Sequence, residues 1–468
     1  MLGQKDRRQP ELFVAGSLRD LLPEEHVLVR VDKVLDLGWL EGEVGDLYSA
    51  TAGRPGIAPE VAVRLMLAGM LLGIVHDRRL VREAQVNLAI RWFIGYGLHE
   101  AVPDHSSLTR IRQRWGGERF RKIFTRTVQA CIAAKIAKGE VVHIDSSLIR
   151  ANVSWEAIAR RHVDAVETAN HPEEADGPGA GPPATKKTKT EYVCTSDPDA
   201  TLATNKTGRR SEPAYKHHTA VDAERGVVLD VAITTGAVHD TKAVEAQLDA
   251  ITATTGVAIQ ASTMDASYAT TYIFAVLEAL GIEGVIPAKP ERPPKKGVIP
   301  VRRFKLDARN RVVRCPAGKL LRPHGKPDSD SFQHYRARPS DCQACRRRTG
   351  CFSENMKRRA ILLHKNHDAL LRARRKYARW ADRERALYRS HRIRVEGYHG
   401  EAKSWHGMRR AVRRGLANMQ IQAYLAAAAV NLKRLAAALI LALSSIRAGL
   451  SPTASPTMRP QNQPPWPA

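Results

Sequence analysis

Residues 215–236 read YKHHTAVDAERGVVLDVAITTG, and this stretch decides the fold class of the chain. Its two β-rich runs flank the turn Ala-Glu-Arg-Gly at 223–226, which predicts a hairpin. A third β-rich run, VVHIDSS, precedes the hairpin at 141–147. After it, helical sequence around 242–253 and 272–280 alternates with the short strands IQASTMDASY and GVIPAK. This β-β-β-α-β-α-β order predicts an α/β core built on a mixed sheet.

The composition is that of a folded globular chain. Of the 468 residues, 43% are hydrophobic and 26% are charged, which excludes a wholly disordered or fibrous protein. Six cysteines are too few for a disulfide scaffold. The apolar runs at 65–75 and 435–443 are shorter than the roughly 20 residues that span a bilayer, so they predict buried helices. Because the first residues contain no apolar signal segment, we expect a cytoplasmic protein without a membrane partner.

The net charge of +26 is concentrated in one part of the chain. Residues 291–420 carry 36 basic and 11 acidic side chains, a net charge of +25. Lysine and arginine side chains that neutralise phosphates release condensed counterions, so this pattern favours a polyanionic partner such as nucleic acid. A solvated basic surface without a partner is the alternative.

One helix in the N-terminal region could contact DNA. It begins at a Pro-Asp-His-Ser-Ser capping sequence and continues through LTRIRQRWG. Arg110 and Arg114 are four residues apart and share one face, while Leu108, Ile111 and Trp115 form a neighbouring apolar face. The pattern suits a helix laid in a DNA groove, and it suits an ordinary amphipathic helix equally well.

Three acidic residues stand in positions suited to metal-dependent chemistry. Asp145 ends the apolar run VVHID, Asp265 ends STMD, and Glu396 lies in the basic segment RIRVEGYHGEAK. Carboxylates at strand ends can converge with one from a helix on hard divalent cations, because Mg²⁺ takes oxygen ligands. Two such ions can activate an attacking oxygen and stabilise a leaving one in phosphodiester displacement. Each acid taken alone is more often a helix cap or a surface charge.

The spacing around Glu396 adds two cations to this acid. Arg392, Glu396 and Lys403 follow one another at steps of four and seven residues, which places them on one face of an α-helix. A carboxylate flanked by two cations suits a phosphate clamp. An i,i+4 ion pair with a spare lysine is the structural alternative.

A short His-Asp motif, at residues 239 and 240 in TTGAVHDTKA, follows the hairpin. We interpret Asp240 as a helix N-cap, with a positioning role at the end of the sheet as the alternative.

Four cysteines lie in the basic segment. Cys315, Cys342, Cys345 and Cys351 follow the pattern C-x26-C-x2-C-x5-C. Four thiolates could close a tetrahedral structural Zn²⁺ site and hold together a Pro-rich segment with little core of its own. Four reduced thiols in a basic loop are the alternative.

Together these motifs resemble the DDE transposases of bacterial insertion sequences, in particular the IS five-like group with a Cys-rich insertion before the last acid. The resemblance covers roughly residues 10–445. It is carried by GRPGIAPEV to PDHSSLTRIRQRW, by HIDSSLIRANVS, the hairpin and MDASYAT, and by YRSHRIRVEGYHGEAK. The family signature Y-x2-R-x3-E-x6-K is matched by Arg392, Glu396 and Lys403, whereas Tyr388 lies one residue too far away.

The resemblance implies an RNase H-like mixed-sheet catalytic core with an all-α N-terminal domain and a Cys-rich insertion. The expected segments are a helical DNA-binding domain (1–135), the first part of the core (136–290), the basic Cys-rich insertion (291–380), the closing helices of the core (381–450) and a disordered Pro-rich tail (451–468). A flexible loop is expected at 170–190.

For function, the resemblance implies a DNA transposase that holds two Mg²⁺ (or Mn²⁺) ions through Asp145, Asp265 and Glu396, with Arg392 and Lys403 on backbone phosphates. Its implied partners are double-stranded DNA, at the terminal inverted repeats and the target, and further copies of the chain in a homodimer or higher oligomer. The sequence has no GxxxxGK[ST] motif, so we expect no nucleotide cofactor. A domesticated, non-catalytic DNA-binding regulator and a simple metal-dependent nuclease are the alternatives.

Overall fold

The chain forms two compact units. The computed structural model describes residues 16–49, 56–154, 158–162, 190–204, 211–289, 298–307, 309–328, 331–353 and 355–447. The helical unit is built from 1–136 and 401–468, and the sheet unit from 137–400. The helices after residue 400 therefore group with the N-terminal helices, whereas the sequence grouped 381–450 with the catalytic core. Most of the loop expected at 170–190, and the tail expected to be disordered, lie outside the described residues.

Helices occur in both units. In chain order the α-helices of the described residues are α1 (Val27–Asp32), α2 (Leu40–Val44), α3 (Pro59–Leu71), α4 (Asp77–Val86), α5 (Leu88–Phe93), α6 (His105–Ala133), α7 (Val244–Thr255), α8 (Thr271–Ala279), α9 (Pro339–Gln343), α10 (His367–Tyr377), α11 (Asp382–His391), α12 (Gly397–Trp405) and α13 (Leu416–Arg447). Short 3-10 helices lie at Leu18–Leu21, Gly45–Leu47, Asp240–Ala243, Ala266–Tyr268 and Val301–Arg303, and a π-helical segment at Arg392–Glu396.

Helix α6 begins where its capping sequence predicts. The Asp104 side chain accepts a hydrogen bond from the Ser106 N–H at 2.8 Å, which satisfies a donor in the first turn. Gly116, with φ 66° and ψ 177°, interrupts the helix, and a second helical stretch continues beyond it. The predicted apolar face is confirmed by the burial of Leu108, Ile111 and Trp115.

Helix α13 is the core of the helical unit. It packs against α1, α3 and α6, and its residues 421–432 are all buried. Its buried amides Gln422 and Asn431 are both paired: Gln422 donates to the Gly407 carbonyl at 3.0 Å and Asn431 donates to Thr127 Oγ1 at 3.3 Å. The stacked rings of Phe124 and Tyr424, with centroids 5.8 Å apart, add to the contact with α6.

The length of α13 corrects a prediction. The apolar run at 435–443 is part of a 32-residue helix, whose stretch from 416 to 442 is long and apolar enough to cross a membrane. Of the 18 most apolar consecutive residues in that stretch, 56% are buried inside the protein. A helix that is apolar on most sides and covered by its neighbours is typical of the centre of a helical bundle.

Strands of the described residues make three sheets. They are β1 (Val141–Arg150), β2 (Ile158–His162), β3 (Thr190–Cys194), β4 (Thr201–Ala203), β5 (Glu212–Asp222), β6 (Val228–Thr235), β7 (Ala261–Thr263), β8 (Glu283–Val285), β9 (Lys305–Asp307), β10 (Val312–Arg314), β11 (Leu320–His324), β12 (Phe332–Ala337) and β13 (Ala360–His364). Strands β2 and β3 pair with each other as a two-stranded antiparallel sheet.

The central sheet confirms the predicted α/β core. Strand β1 lies between β5 and β7, with β8 beyond β7, and both β4 and β6 pair with β5. Strands β1, β7 and β8 run parallel, whereas β5 is antiparallel to β1 and β6. The predicted hairpin is therefore present as β5 and β6, with a register shift at Ala220/Val221. Helix α7 packs on β6, which precedes it, and helix α8 packs on β8, which follows it.

The basic Cys-rich segment has a sheet and a core of its own, which corrects the prediction of a segment with little core. Strands β9 to β13 form an antiparallel meander in which each strand pairs with the next. Its buried cluster includes Val313, Leu321, Ile361, Cys342 and Cys351. These strands are three to six residues long, and each buries at most two side chains. Such short segments carry too little alternation to be recognised as strands.

Candidate functional site

The register of β1 against β7 brings two of the predicted acids to one edge of the sheet. The two strands are parallel, and His143 lies opposite Thr263. Asp145 and Asp265 each follow two residues later, so both project from the same face at neighbouring positions. Asp265 Oδ1 accepts hydrogen bonds from the Ser267 N–H at 2.7 Å and from its hydroxyl at 2.5 Å. These bonds fix the turn that follows β7.

A π-helical segment carries Glu396 towards β1 and β5. It continues α11 without a break. Val395 is fully buried, and Arg394 Nε donates to the Ala223 carbonyl in the hairpin turn at 3.1 Å. The sequence predicted a regular α-helix here, and the wider π turn is a correction. Such turns are rare and occur often at functional sites.

The Asp145 carboxyl group lies in a cluster of like charges. Burial, and after it the carboxylates of Asp265, Asp240 and Glu396, raise its pKa to about 7, against a hydrogen bond from the Ser146 N–H. These interactions bring all three predicted acids into one electrostatic neighbourhood. A cation bound among them would relieve the repulsion.

The raised pKa of Asp145 makes the stability of the protein depend on pH. Its ionisation opposes folding, by an amount that grows between about pH 4 and pH 7 and is full above about pH 7. We therefore expect Asp145→Asn to stabilise the metal-free protein by roughly 2 kcal/mol at pH 8, once solvent screening is allowed for. The gain should shrink as the pH falls towards 4. Thermal denaturation in EDTA across this range measures it.

A matched control for this prediction is Asp249→Asn, which removes an exposed carboxylate from α7. Its melting temperature should follow that of the unmodified protein at every pH. A stabilisation by Asp145→Asn that is the same at pH 8 and pH 5 would contradict the assignment of a raised pKa to this carboxyl.

The donor set of the three acids fits a divalent cation such as Mg²⁺, because it consists only of carboxylate oxygens. The carboxylates are not yet gathered: among the described residues no three His, Cys, Asp or Glu side chains form a ready metal-ligand cluster. The Glu396 side chain is 65% exposed and lies 3.4 Å from Arg392 Nε. A cation bound by the three acids would compete with Arg392 for the Glu396 carboxylate.

Sequence reasoning missed a charged network beside the acids. Lys216 Nζ lies 2.9 Å from Asp240 Oδ1, and the Ser146 hydroxyl donates to the same oxygen at 2.6 Å. Although burial opposes it, these contacts hold the pKa of Asp240 below its ordinary value. The interpretation of Asp240 as a helix N-cap is wrong, because His239 accepts from the Thr241 N–H in that role. A lysine within the β-rich run YKHHTAV was the available signal.

His399 is a second group that the sequence did not identify. Its Nδ1 lies 3.8 Å from Asp145 Oδ2, and its Nε2 lies 2.8 Å from Thr219 Oγ1. Thr219 in turn donates to the Asp145 carbonyl at 3.3 Å. His399 lies on α12, which begins directly after Glu396, and its imidazole approaches the carboxylate of Asp145. The available sequence signal was that His399 follows Glu396 by three residues, which places the two side chains on one face of a helix.

The two cations predicted around Glu396 differ in their surroundings. The Arg392 side chain is 69% exposed beside Glu396, so it is accessible to a phosphate. Lys403 is half-buried on α12 and falls in the helical unit.

The other two predicted DNA contacts lie on α6. Both are exposed. Arg110 donates to Ser106 Oγ at 2.6 Å, and the Arg114 guanidinium lies over the Tyr48 ring at 4.7 Å. An exposed, oriented arginine remains available to a phosphate, because a cation–π contact of this kind stabilises by only about 0.5–1 kcal/mol.

The four predicted zinc ligands line one pocket of the Cys-rich sheet. Two tight turns contain three of them, since the Gly318 N–H donates to the Cys315 carbonyl at 2.9 Å and the Cys345 N–H donates to the Cys342 carbonyl at 3.3 Å. Burial raises the pKa of the Cys351 thiol; Arg359 opposes this, and the other three thiols add to it. Four thiols are the donor type that Zn²⁺ prefers, although among the described residues these cysteines, like the acids, do not form a ready ligand cluster. Because Cys342 and Cys351 also belong to the apolar cluster, four reduced thiols remain the alternative.

Two family models match the chain. A model described as Transposase domain (DUF772) matches residues 16–114, and one described as Transposase DDE domain matches residues 314–436. The second match includes Glu396 and the four cysteines, whereas Asp145 and Asp265 precede it. No curated protein sequence matches the chain. The matches do not distinguish subgroups, so membership of the IS five-like group stays a prediction.

Proposed function

We propose that the chain cuts and joins DNA at the ends of an insertion element. It matches a transposase domain and a transposase DDE domain, and it is a DDE transposase of such an element with an RNase H-like α/β core. In the first step water displaces one strand at the element end and frees a 3′-hydroxyl. In the second step that hydroxyl attacks a phosphodiester of the target and displaces its 3′-oxygen. No covalent enzyme intermediate is needed.

The observation that carries this proposal is the parallel register of β1 and β7. It supports the assignment of Asp145 and Asp265, which lie far apart in sequence, to one catalytic edge. The influence of Glu396 on the pKa of Asp145 supports its assignment as the third acid.

Divalent ions bound by Asp145, Asp265 and Glu396 would supply activation of the attacking oxygen and charge stabilisation of the leaving oxygen. The protein supplies position and charge. The contacts of Arg394 hold the segment that bears Glu396. Arg392, exposed beside that carboxylate, would exchange it for a backbone phosphate when DNA binds.

DNA binding would draw on basic side chains in both units. We assign Arg110 and Arg114 of α6, with Arg392 and Lys403, to phosphate contacts, which position the DNA without reading its sequence. The resemblance implies at least a dimer for the joining of two element ends, so the working form would be a homodimer or a higher oligomer acting in the cytoplasm.

The test begins with the DNA that flanks the gene. A pair of terminal inverted repeats enclosing it would supply the substrate, prepared as labelled duplex ends. We expect Mg²⁺- or Mn²⁺-dependent cleavage at the repeat boundary and transfer of the 3′ end to a second DNA, both abolished by EDTA. Binding without cleavage would instead support a regulator, and cleavage that never leads to joining would support a nuclease.

We further propose that Cys315, Cys342, Cys345 and Cys351 hold a structural Zn²⁺. The purified protein should contain about one zinc ion per chain, and Cys345→Ser should lose most of it and lower the melting temperature. Cys131→Ser, in the core of the helical unit, is the control that should retain zinc. Measured by elemental analysis, a zinc-free protein whose stability is unaffected by chelator would favour the four reduced thiols.

A further inference from the structure

A buried hydrogen-bonded cluster lies directly beneath the acids. We call His143, Thr263 and His391 the His–Thr–His clamp. Thr263 Oγ1 lies 2.5 Å from His143 Nδ1 and 3.0 Å from His391 Nδ1. The three residues are between 0 and 4% exposed. One hydroxyl therefore joins two imidazole rings in a place from which water is excluded.

The clamp connects the three segments that carry the predicted acids. His143 and Thr263 are paired across β1 and β7, and each precedes its acid, Asp145 or Asp265, by two residues. His391 is the last residue of α11, directly before the π-helical segment that ends in Glu396. A shift at any member of the clamp would therefore move an acid.

The hydrogen bonds of the clamp restrict the tautomers of its histidines. Thr263 has one hydroxyl proton, so it can donate to at most one imidazole Nδ1, and at least one of the two histidines carries a proton on Nδ1 and donates it to Thr263. The side chains of His143 and His391 are 0 and 4% exposed, and burial favours the neutral form of an imidazole. A neutral, fully bonded cluster has one preferred geometry.

Surrounding contacts hold the clamp from outside. The Ser390 hydroxyl lies 3.4 Å from His143 Nε2, and the Tyr388 ring stacks on His391 with centroids 5.8 Å apart and planes 7° apart. An all-apolar trio would fill the same space without needing partners. Hydrogen-bonding residues at these three positions are explained if they fix a particular geometry in addition to filling the space.

We propose that the His–Thr–His clamp is a positioning unit that sets the spacing of the three acids and so their affinity for divalent metal. The proposal rests on the proposed function for the identity of the acids. Thr263 is its central residue, since its hydroxyl makes both bonds. It acts through the backbone of the acids and touches neither metal nor DNA.

The central test compares Thr263→Val, which keeps the shape but removes the hydroxyl, with Thr263→Ser, which restores it. Mn²⁺ affinity of the DNA-free protein, followed by electron paramagnetic resonance, is the first readout. We expect Thr263→Val to weaken Mn²⁺ binding about 10- to 100-fold, as for groups that orient metal ligands. The same substitution should raise the Mg²⁺ concentration that half-saturates cleavage by a similar factor, and it should leave DNA affinity unchanged. Thr263→Ser should return Mn²⁺ affinity to within about threefold of the unmodified protein.

The matched control is Ser262→Ala, on the neighbouring residue of β7. Ser262 is fully buried, and its hydroxyl has no hydrogen-bond partner within the described part of the chain. Its removal should leave Mn²⁺ affinity unchanged. The clamp proposal is overturned if Thr263→Val behaves like this control, or if Thr263→Ser is as impaired as Thr263→Val.

A second pair covers the case in which Thr263→Val does not fold. His391→Asn keeps a polar group near the Nδ1 position, whereas His391→Leu does not. Better Mn²⁺ binding by His391→Asn supports the clamp, and equal losses overturn it. Because Mn²⁺ binding is measured without DNA, a protein that binds the metal normally but cuts no element ends would refute the proposed function while still testing the clamp.

Discussion

Cleavage of element ends by the Asp265→Ala protein should be at least roughly 10³-fold slower than by the unmodified protein, with DNA binding unchanged. The carboxylate is one of three oxygen donors, and alanine offers none in its place. The Asp265 side chain also caps the short helix at Ala266–Tyr268 through Ser267. Gel-based cleavage assays and binding titrations on the same labelled duplex separate the two effects.

The loss of the cap must be distinguished from the loss of the metal ligand. Asp265→Asn keeps an oxygen that can accept from Ser267, so it should fold normally and yet remain nearly inactive. Asp249→Ala, which removes an exposed carboxylate from the same unit, should cleave at the normal rate. Cleavage that survives in both Asp265 variants would refute the assignment of this acid.

The Asp77→Ala protein should be less stable by about 3–5 kcal/mol, the cost of leaving buried charge uncompensated. Arg112, whose side chain is 4% exposed, donates to both oxygens of Asp77 at 2.8 and 2.7 Å. Arg413 contacts the same two oxygens at 2.8 Å. Although burial opposes it, the two guanidinium groups hold the pKa of Asp77 below its ordinary value. Removing the carboxylate leaves both cations facing each other.

Thermal or urea unfolding measures this loss. The control is Asp46→Ala, which breaks a 3.1 Å ion pair with Arg119 in which the Asp46 side chain is 64% exposed. That exposed pair should contribute no more than about 1 kcal/mol. Similar small losses for Asp77→Ala and Asp46→Ala would show that the buried cluster does not hold the helical unit together.

Much of the central sheet could be predicted because β1, β5 and β6 are 10, 11 and 8 residues long and a recognisable turn joins β5 to β6. The hairpin at 215–236 and the cap at Asp104 depend on residues close together in sequence, so they were readable. The Cys-rich sheet was not, because its short strands each bury few side chains. The return of α13 to the N-terminal helices also escaped prediction, since pairing between distant helices leaves no local pattern.

The candidate site could be anticipated in its acids and not in their support. Asp145 and Asp265 end β-rich runs, a local signal that the sequence carries openly. Lys216, His399 and Thr263 become neighbours of those acids through the register of β1 with β5 and β7 and through the helices that follow. Such contacts exist only after folding, and no local sequence pattern marks the residues that make them.

The helical unit takes its two parts from opposite ends of the described chain, and this has a consequence for synthesis on the ribosome. Helices α1, α3 and α6 emerge first, but α13, which covers them, follows α6 by about 280 residues. Until then the surfaces of these helices that contact α13 have no native partner, which is a condition under which nascent chains associate wrongly. The sheet unit, by contrast, has all its residues available before α13 is translated. The segment made first is therefore part of the unit that can finish folding only last.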